Sequence, residues 1–378
     1  MDFGKLKHFL DSLDEFCSIP SCDCSVYFKH KEVFRHRAGY SDLARTKPVS
    51  ETDLYWIYSC TKVSTCVAGM QMVEQGKMKL SDPISKYLPE YSGIRVRSGD
   101  GTVPCEKEPT IEDLFTMSAG FNYNFSCPSI KSLIEEKGKS VTTLEVIRAL
   151  AQEPLDFQPG SRFQYSMCHD VLAAVVEVVS GVRFSDYVKQ RIAKPLGMKE
   201  LEFHVLPENV DRMSVQYNYD PASRTISNAG SRNLGIMSDN FDSGGGGIVA
   251  TVSDYVLFAD ALANGGVGAT GEKILTSESI DLMRKNWLDS NRMKEFYKTH
   301  KFGYSYGLGV RTLINPSFSL GPVGEFGWDG AAGAYFLVDP DNHVAIFHAQ
   351  TVLGYHEAYT VVHPKIRDLT YLALRNEL

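Results

Sequence analysis

The stretch YSCTK at residues 58–62 begins a segment whose apolar residues recur at helical spacing until Gly76, and it holds the only serine that a lysine follows three positions later. Residues three apart lie on one face of a helix, so Lys62 can reach the hydroxyl of Ser59. A serine hydroxyl becomes a nucleophile only when a neighbouring base accepts its proton. The tetrapeptide alone favours a simpler interpretation, in which Ser59 caps the helix and Lys62 is solvated, so its context must decide.

Composition excludes several classes of function. The chain has 378 residues, 43% of them apolar and 22% charged, and a net charge of -7. This length and apolar content predict a folded chain with two cores or one large core. Nucleic acids and anionic membranes bind clustered Lys and Arg, which this acidic sequence does not offer. We therefore predict a small-molecule substrate and no nucleic-acid or membrane partner, while the oligomeric state stays open.

The cysteines and histidines indicate neither disulfides nor a metal site. Eight cysteines occur without a secretory leader or an apolar run of membrane-spanning length, which is typical of reduced thiols in the cytoplasm. The ten histidines show no spacing typical of metal ligands. We therefore predict a cytoplasmic protein that needs no metal and no other cofactor.

Strand patterns are concentrated at the two ends of the chain. Residues 24–40 alternate like a hairpin, and runs at 306–310, 334–338 and 344–348 predict further strands. The middle is mainly helical in pattern and includes a helix over 253–263 with Ser253 as its N-cap. We predict an α/β plus all-α fold, in which an antiparallel sheet built from both termini is flanked by helices and carries a large, mostly helical insertion. The predicted domains are 1–58 with 302–378, and 59–301, with the active site in the cleft between them.

Two further motifs change the interpretation of Ser59. FQPGSRFQYSM at 157–167 and FGWDGAAG at 326–333 follow YSCTK in order. The three together resemble the signature elements of the serine β-lactamase-like superfamily, which includes class C β-lactamases, D-amino-acid peptidases and family VIII carboxylesterases. Supporting stretches at 79–89, 116–121, 194–198 and 246–255 extend the resemblance over nearly the whole chain. It implies a β-lactamase/transpeptidase-like fold and a hydrolase that forms an acyl-enzyme.

The resemblance also implies a role for each matching residue. Ser59 is expected to be the acylated nucleophile, and Lys62 and Tyr165 its proton-transfer partners, with the choice of base for acylation left open. The N–H groups of Ser59 and Ala331 are expected to hold the oxyanion, and Gly330 to let the strand approach closely. The residues expected to contact the substrate are Tyr58, Phe121, Tyr123, Met167, Trp328, Asp329 and Gly330.

Elementary electrostatics places a condition on Lys62. A lysine acts as a base only when its pKa is lowered, and burial on an apolar helix disfavours the ammonium form. We therefore expect Lys62 to have a depressed pKa. The start of the helix would also place Ser59 where backbone N–H groups favour developing negative charge.

Two departures from the family pattern bear on the substrate. The second motif often ends in an asparagine that contacts an acylamino group, but this chain has Met167. The third motif is Lys-Thr-Gly in most β-lactamases and His-x-Gly in many peptidases, but here it is Trp328-Asp329-Gly330, which resembles the family VIII carboxylesterases. Losing these polar partners weakens recognition of anionic β-lactams and peptides, so esters of small or medium acyl groups are the expected substrates.

Other interpretations stay open. Amide chemistry, as in a D-amino-acid peptidase, an amidase or a β-lactamase, is one, and acyl transfer to an acceptor other than water is another. A silent binding module that keeps the fold is a third, although a pure binder has no chemical need for Ser59, Lys62 and Tyr165 together. Cys60 and Cys168 flank catalytic positions, but no histidine follows in a matching context, so we interpret both as packing residues.

Overall fold

The computed structural model describes residues 1–233 and 235–378. In chain order, the α-helices α1 to α12 are Gly4–Asp11, Leu13–Cys17, Thr61–Glu74, Ile111–Phe115, Pro128–Lys137, Thr143–Leu150, Cys168–Ser180, Phe184–Val188, Val252–Ala263, Ser277–Arg284, Ser290–Tyr297 and His363–Leu374. The strands β1 to β15 are Ser21–Phe28, Lys31–Gly39, Tyr55–Trp56, Arg95–Ser98, Gly101–Pro104, Leu201–Glu202, Gln216–Asp220, Thr225–Gly230, Val249–Ala250, Tyr304–Tyr306, Arg311–Leu313, Phe326–Asp329, Tyr335–Asp339, Val344–Gln350 and Val352–Leu353.

The main sheet joins the two ends of the chain. Its seven strands lie in the order β10-β11-β12-β13-β14-β1-β2. Every neighbouring pair is antiparallel. Strand β1 lies between β14 and β2, with Cys24 opposite His348 of β14 and His36 of β2. The predicted sheet built from both termini is therefore confirmed.

Helices cover both faces of this sheet. Successive side chains of a strand point to opposite faces, so neighbouring residues of β14 enter different cores. Phe347 packs in the core that contains α9, whereas Ile346 packs in the core that contains α1 and α12. The first of these cores continues without interruption into the helical middle of the chain through α3 and α7. The division into two domains at residues 58 and 302 stays a prediction.

The middle of the chain contains strands that the sequence pattern did not predict. They form small sheets with the orders β15-β7-β8, β3-β9-β6 and β4-β5. Several of these strands have only two residues, such as Tyr55–Trp56 and Val249–Ala250. An alternating pattern needs at least four residues to be recognised, so such strands escape a reading of periodicity.

The strand predicted at 306–310 is wrong, because most of this run is the turn between β10 and β11. Gly309 adopts a φ of +85°, which favours glycine, and a Cβ there would lie 2.0 Å from the sulfur of Cys66. A Cβ on Gly307 would lie 1.9 Å from the carbonyl oxygen of Met283. Close packing of the turn, rather than strand pairing, therefore explains these glycines.

The N-cap of α9 differs by two positions from the predicted one. The N-cap of α9 is Thr251, whose hydroxyl accepts a hydrogen bond from the N–H of Asp254, rather than the predicted Ser253.

Across the residues that the structure describes, no helix combines the length and the apolar character needed to cross a bilayer. The cytoplasmic location remains a prediction.

Candidate active site

Ser59 lies on a strained turn that leads into α3. The 3₁₀ turn covers Tyr58–Cys60, and the α-helix begins only at Thr61, so Ser59 precedes the helix instead of opening it. Tyr58 has a φ of +46°, a left-handed conformation that is costly for a residue with a side chain. The turn is held against a neighbouring segment by the Ile57 N–H, which donates to the carbonyl of Ile248. Its strain is concentrated next to the hydroxyl that carries the predicted chemistry.

Lys62 is fully buried one helical turn from Ser59, with 0% of its surface exposed. Its ammonium nitrogen donates to Ser59 Oγ at 3.2 Å, to the Tyr123 hydroxyl at 3.0 Å and to the Gly245 carbonyl at 2.5 Å. These three acceptors use all three N–H bonds of an ammonium group. The geometry therefore suits the charged form of the lysine.

The expectation of a depressed pKa for Lys62 is wrong. Burial by itself lowers the pKa of this amine, but the surrounding Tyr123, Tyr165 and Asp170 outweigh it and hold the pKa of Lys62 above its ordinary value. The sequence argument counted the apolar helix but had no means of placing a buried carboxylate and two phenols beside it. Lys62 is consequently an ammonium ion in the resting site.

Tyr165 completes the group around the serine. Its hydroxyl is hydrogen-bonded to Ser59 Oγ at 2.6 Å and accepts the indole N–H of Trp328 at 3.2 Å. The ring is stacked between Tyr123, at a centroid distance of 5.4 Å, and Trp328, at 5.6 Å. The Lys62 nitrogen lies 4.6 Å from the centre of the same ring. Stacking fixes the orientation of the Tyr165 ring. The Lys62 ammonium and the Trp328 N–H both lie against this side chain.

The third motif lies directly against the turn of Ser59. A Cβ on Gly330 would lie 2.3 Å from the carbonyl oxygen of Ile57, so only glycine permits this approach. The Tyr359 hydroxyl bonds the carbonyl oxygens of Gly330 and Ala331, each at 3.0 Å. Over the described ranges, 1–233 and 235–378, the Ala331 N–H makes no hydrogen bond. The role of this N–H in holding the oxyanion stays a prediction.

Two cavities meet at Ser59. Both are lined by Ser59, Tyr165 and Ala331. The larger cavity has a volume of about 570 Å³ and is also lined by Tyr58, Tyr123, Phe125 and Leu353. The smaller cavity has a volume of about 330 Å³ and is also lined by His300, Lys301, Trp328 and Asp329. Both volumes fall in the range of small-molecule sites.

The structure brings together only part of the predicted substrate-binding set. Tyr58 and Tyr123 line the larger cavity, whereas Trp328, Asp329 and Gly330 line the smaller one.

Phe121 and Met167 lie elsewhere. Phe121 is buried and packs edge-on against Tyr91 at a centroid distance of 5.8 Å. Met167 has no exposed surface and immediately precedes α7. Neither residue lines the larger or the smaller cavity, so their expected contact with substrate does not match their placement. Both side chains belong to the hydrophobic core instead.

Asp329 forms ion pairs with the cations near the smaller cavity. Its carboxylate accepts from Arg311 at 2.7 Å and lies 3.5 Å from the Lys301 nitrogen. Burial alone would raise the pKa of Asp329, but Arg311 and Lys301 hold it well below its ordinary range. The carboxylate is therefore ionised, and it forms ion pairs with both Arg311 and Lys301.

Sequence reasoning missed two residues of the lysine environment, Asp170 and Gly245. Asp170 follows the YSM motif by only three positions, but nothing in the pattern separates a buried carboxylate from a surface one. Gly245 contributes a backbone carbonyl, a group that sequence motifs do not identify.

The thiols of Cys60 and Cys168 are buried, and burial raises the pKa of Cys168 to about 12, which agrees with packing roles. Among the described residues, no cluster of side chains could hold a metal ion.

Known proteins resemble this chain over most of its length. The sequence model of the family described as Beta-lactamase matches residues 10–369. Esterase EstB of Burkholderia gladioli is 27% identical over 339 residues, which cover 83% of this chain and 82% of the esterase. A putative D-alanyl-D-alanine carboxypeptidase of Salmonella heidelberg is 26% identical over 380 residues, which cover 94% of this chain and 83% of the relative.

A solved structure extends the likeness to the fold. EstCE1, described as a hydrolase with promiscuous acyltransferase activity, has a TM-score of 0.80 to this chain at 23% identity and covers 98% of both chains. The β-lactamase/transpeptidase-like architecture is thereby confirmed, and the family match over nearly the whole length confirms the resemblance drawn from the three motifs. The chain therefore belongs to the beta-lactamase family.

Proposed function

We propose that this chain, a serine hydrolase of the beta-lactamase family, is a carboxylesterase that forms an acyl-enzyme on Ser59. The observation that carries the proposal is the hydrogen-bonded group in which Ser59 Oγ lies 2.6 Å from the Tyr165 hydroxyl and 3.2 Å from the Lys62 nitrogen. This group lies where two cavities meet, which provides room for both halves of an ester.

Tyr165 is the base in the proposed acylation step. An ammonium group has no lone pair with which to accept a proton, and Lys62 is held in that form. In this step Tyr165 acts as a phenolate, and the Lys62 ammonium, 4.6 Å from the ring centre, and the Trp328 N–H, 3.2 Å from the oxygen, are placed to stabilise its charge. As Ser59 Oγ attacks the ester carbonyl, its proton passes to this phenolate. Tyr165 then returns the proton to the leaving alcohol oxygen as the ester C–O bond breaks.

Deacylation reverses these proton transfers. Water gives a proton to Tyr165 as its oxygen attacks the acyl carbonyl, and Tyr165 returns the proton to Ser59 as the acid leaves. In both steps the N–H groups of Ser59 and Ala331 are proposed to stabilise the tetrahedral oxyanion. The net reaction converts one ester and one water into an acid and an alcohol.

The side chains around the serine favour esters over amides. Met167 replaces the family asparagine and is buried away from both cavities, so it offers no partner to an acylamino group. The cations Arg311 and Lys301 are engaged by Asp329 and are less able to hold a substrate carboxylate. Amide hydrolysis remains the second candidate, and the carboxypeptidase relative supports it.

The two cavities suggest which part of the ester lies where. The aromatic rings and Leu353 line the apolar part of the larger cavity and suit an acyl chain, whereas Asn218 and Arg232 line its polar part. The smaller cavity is lined by Trp328, Lys301 and Asp329, which suit a departing alcohol and the water that follows it. We assign the acyl group to the larger cavity on this basis.

A paired assay tests the proposed function. Purified protein is incubated with chromogenic esters of increasing acyl length and, separately, with a chromogenic cephalosporin. We expect turnover of the short and medium esters and negligible opening of the cephalosporin. Rapid cephalosporin opening with feeble ester turnover would indicate an amide hydrolase instead of a carboxylesterase. A missing covalent adduct with a fluorophosphonate, measured by intact mass, would indicate a silent binder, and adding a second alcohol would reveal acyl transfer.

Leu353→Trp is expected to shorten the range of acyl chains that the enzyme accepts. Leu353 lines the larger cavity and lies outside the Ser59 group, so a bulkier side chain removes volume without touching the chemistry. We expect kcat/KM for medium acyl esters to fall about tenfold while that for acetyl esters changes little, since lost apolar contacts cost about 1–3 kcal/mol. Leu372→Trp, on the exposed side of α12, is the matched control. Equal losses for all chain lengths would argue against the acyl assignment.

A further inference from the structure

Asp170 is a buried carboxylate behind the catalytic group. It lies in the first turn of α7 and has no exposed surface. Its Oδ1 accepts the Ser243 hydroxyl at 2.7 Å and the Gly245 N–H at 3.0 Å. Its Oδ2 has no hydrogen-bond partner in the part of the chain that the structure describes. A buried carboxylate oxygen without a partner is costly, so it calls for an electrostatic explanation.

Gly245 links this carboxylate to the lysine. The N–H of Gly245 donates to Asp170, and the carbonyl of the same residue accepts from Lys62 at 2.5 Å. A Cβ on Gly245 would lie 2.5 Å from Asp170 Oδ2 and 2.9 Å from the Tyr123 hydroxyl, so these two oxygens face the same point. Tyr123 in turn accepts from Lys62 at 3.0 Å. Asp170 is thus linked to the Lys62 ammonium group through Gly245, and its second oxygen faces the side of Tyr123 that accepts from the same group.

The charges of this region leave Lys62 in need of a counter-ion. All three acceptors of its ammonium group are neutral oxygens. Besides Lys62 on α3, the titratable groups that interact with Asp170 are the phenol of Tyr123 and the thiol of Cys168, and burial raises the pKa of both. His169 on α7 instead lies against Cys66 and the Phe115 carbonyl, and burial lowers its pKa to about 3, so it is neutral. Burial raises the pKa of Asp170, whereas Lys62, the Ser243 hydroxyl and the Gly245 N–H act against this and favour the carboxylate. Asp170 is therefore the carboxylate that interacts electrostatically with Lys62.

We propose that Asp170 is a positioning residue for the hydrolysis: it fixes Gly245 as an acceptor of Lys62 and is the buried carboxylate that serves as counter-ion to the Lys62 ammonium group. The inference rests on the proposed function, because the protonated lysine matters only if Ser59 is acylated through Tyr165. Asp170 touches neither the serine nor the cavities. Its effect on the reaction passes through the lysine.

Asp170→Asn tests the proposal because it keeps the shape of the side chain and removes the charge. We expect kcat/KM for a short chromogenic ester to fall about tenfold or more, mainly through kcat. The basic limb of the pH profile should move to lower pH, since without the carboxylate Lys62 loses its proton more readily. A purely structural role would lower the rate without moving that limb. An unshifted basic limb in the folded variant overturns the proposal.

Asp113→Asn is the matched control, because Asp113 is also a buried carboxylate, but it belongs to the capping box of α4. It is expected to reduce stability and leave the pH profile in place. If Asp170→Asn does not fold, Ser243→Ala provides the second test: it removes one of the hydrogen bonds to Asp170 and leaves its charge. We expect a lower kcat with KM and the unfolding midpoint unchanged, because Ser243 lines the larger cavity and a lost substrate contact would raise KM. An unchanged kcat contradicts the positioning role.

Failure of this inference can be told apart from failure of the proposed function. Wild-type protein is first treated with a fluorophosphonate and examined by intact mass. If no adduct forms, the acyl-enzyme chemistry itself is wrong. If the adduct forms and Asp170→Asn keeps the wild-type pH profile, only the role of Asp170 is rejected.

Discussion

Ser59→Ala is expected to reduce ester turnover to the uncatalysed background, a loss on the order of 10⁴-fold or more. The hydroxyl is the atom that bonds the acyl group in the proposed route, and neither Lys62 nor Tyr165 can replace it. Ser59 lies on the surface of both cavities, so removing one oxygen leaves the packing of the core unchanged. The measurement is initial-rate hydrolysis of a short chromogenic ester, with the unfolding midpoint recorded for both proteins.

Ser64→Ala is the matched control for this experiment. Ser64 lies in α3, five positions after Ser59, and is buried, but its hydroxyl bonds the Tyr255 hydroxyl at 2.8 Å rather than facing a cavity. It should keep nearly full activity. The fluorophosphonate adduct should form on wild type and on Ser64→Ala and be absent from Ser59→Ala. Substantial ester turnover by Ser59→Ala would mean that another nucleophile carries the reaction.

The elements that the sequence predicted well are those encoded locally. Alternation in residues 24–40 and at 344–348 identified strands β1, β2 and β14, because the pleat gives each strand a period of two. The spacing of Ser59 and Lys62 identified a contact within one turn, which the structure places at 3.2 Å. Contacts of this kind depend on few neighbours, so a single sequence contains enough information.

The contacts of Lys62 that the sequence did not predict join distant parts of the chain. Tyr123 and Asp170 lie 61 and 108 positions from Lys62 along the sequence, and only the tertiary fold places them beside it. Their combined effect reverses the expected direction of the pKa shift of Lys62. Phe121 and Met167 show the opposite error, because both lie close to motif residues in sequence yet pack into the core.

The raised pKa of Lys62 changes how the site is understood. A lysine whose pKa is lowered would accept the serine proton itself, whereas the ammonium can only stabilise negative charge nearby. Tyr165 is the group positioned to receive that stabilisation, since it also accepts the Trp328 N–H at 3.2 Å. Trp328 thus provides an uncharged donor at the position where many family members carry a lysine or a histidine. This fits an enzyme that needs the phenolate but does not need to bind an anionic substrate.

Lys62→Met should lower the acylation rate by about 10²–10⁴-fold while the protein remains folded. Methionine fills similar volume without the charge, so the expected loss is electrostatic: Tyr165 loses the ammonium group that lies 4.6 Å from its ring centre. Removing the ammonium also leaves Tyr123 and the Gly245 carbonyl without a donor, which costs about 1–3 kcal/mol of unfolding free energy. Single-turnover acylation and urea unfolding measure the two effects separately.

The comparison of rate with stability decides the role of the lysine. Lys86→Met, at an exposed ion pair with Asp82, is the control for loss of a lysine charge and should change neither quantity appreciably. If Lys62 were only a structural anchor, its replacement would lower the unfolding free energy while folded protein acylated at nearly the wild-type rate. That result would remove the ammonium from the mechanism and return the choice of base to an unassisted Tyr165. A large loss of acylation in fully folded protein instead requires that the charge acts on the reacting atoms, because Lys62 has no exposed surface through which it could bind substrate.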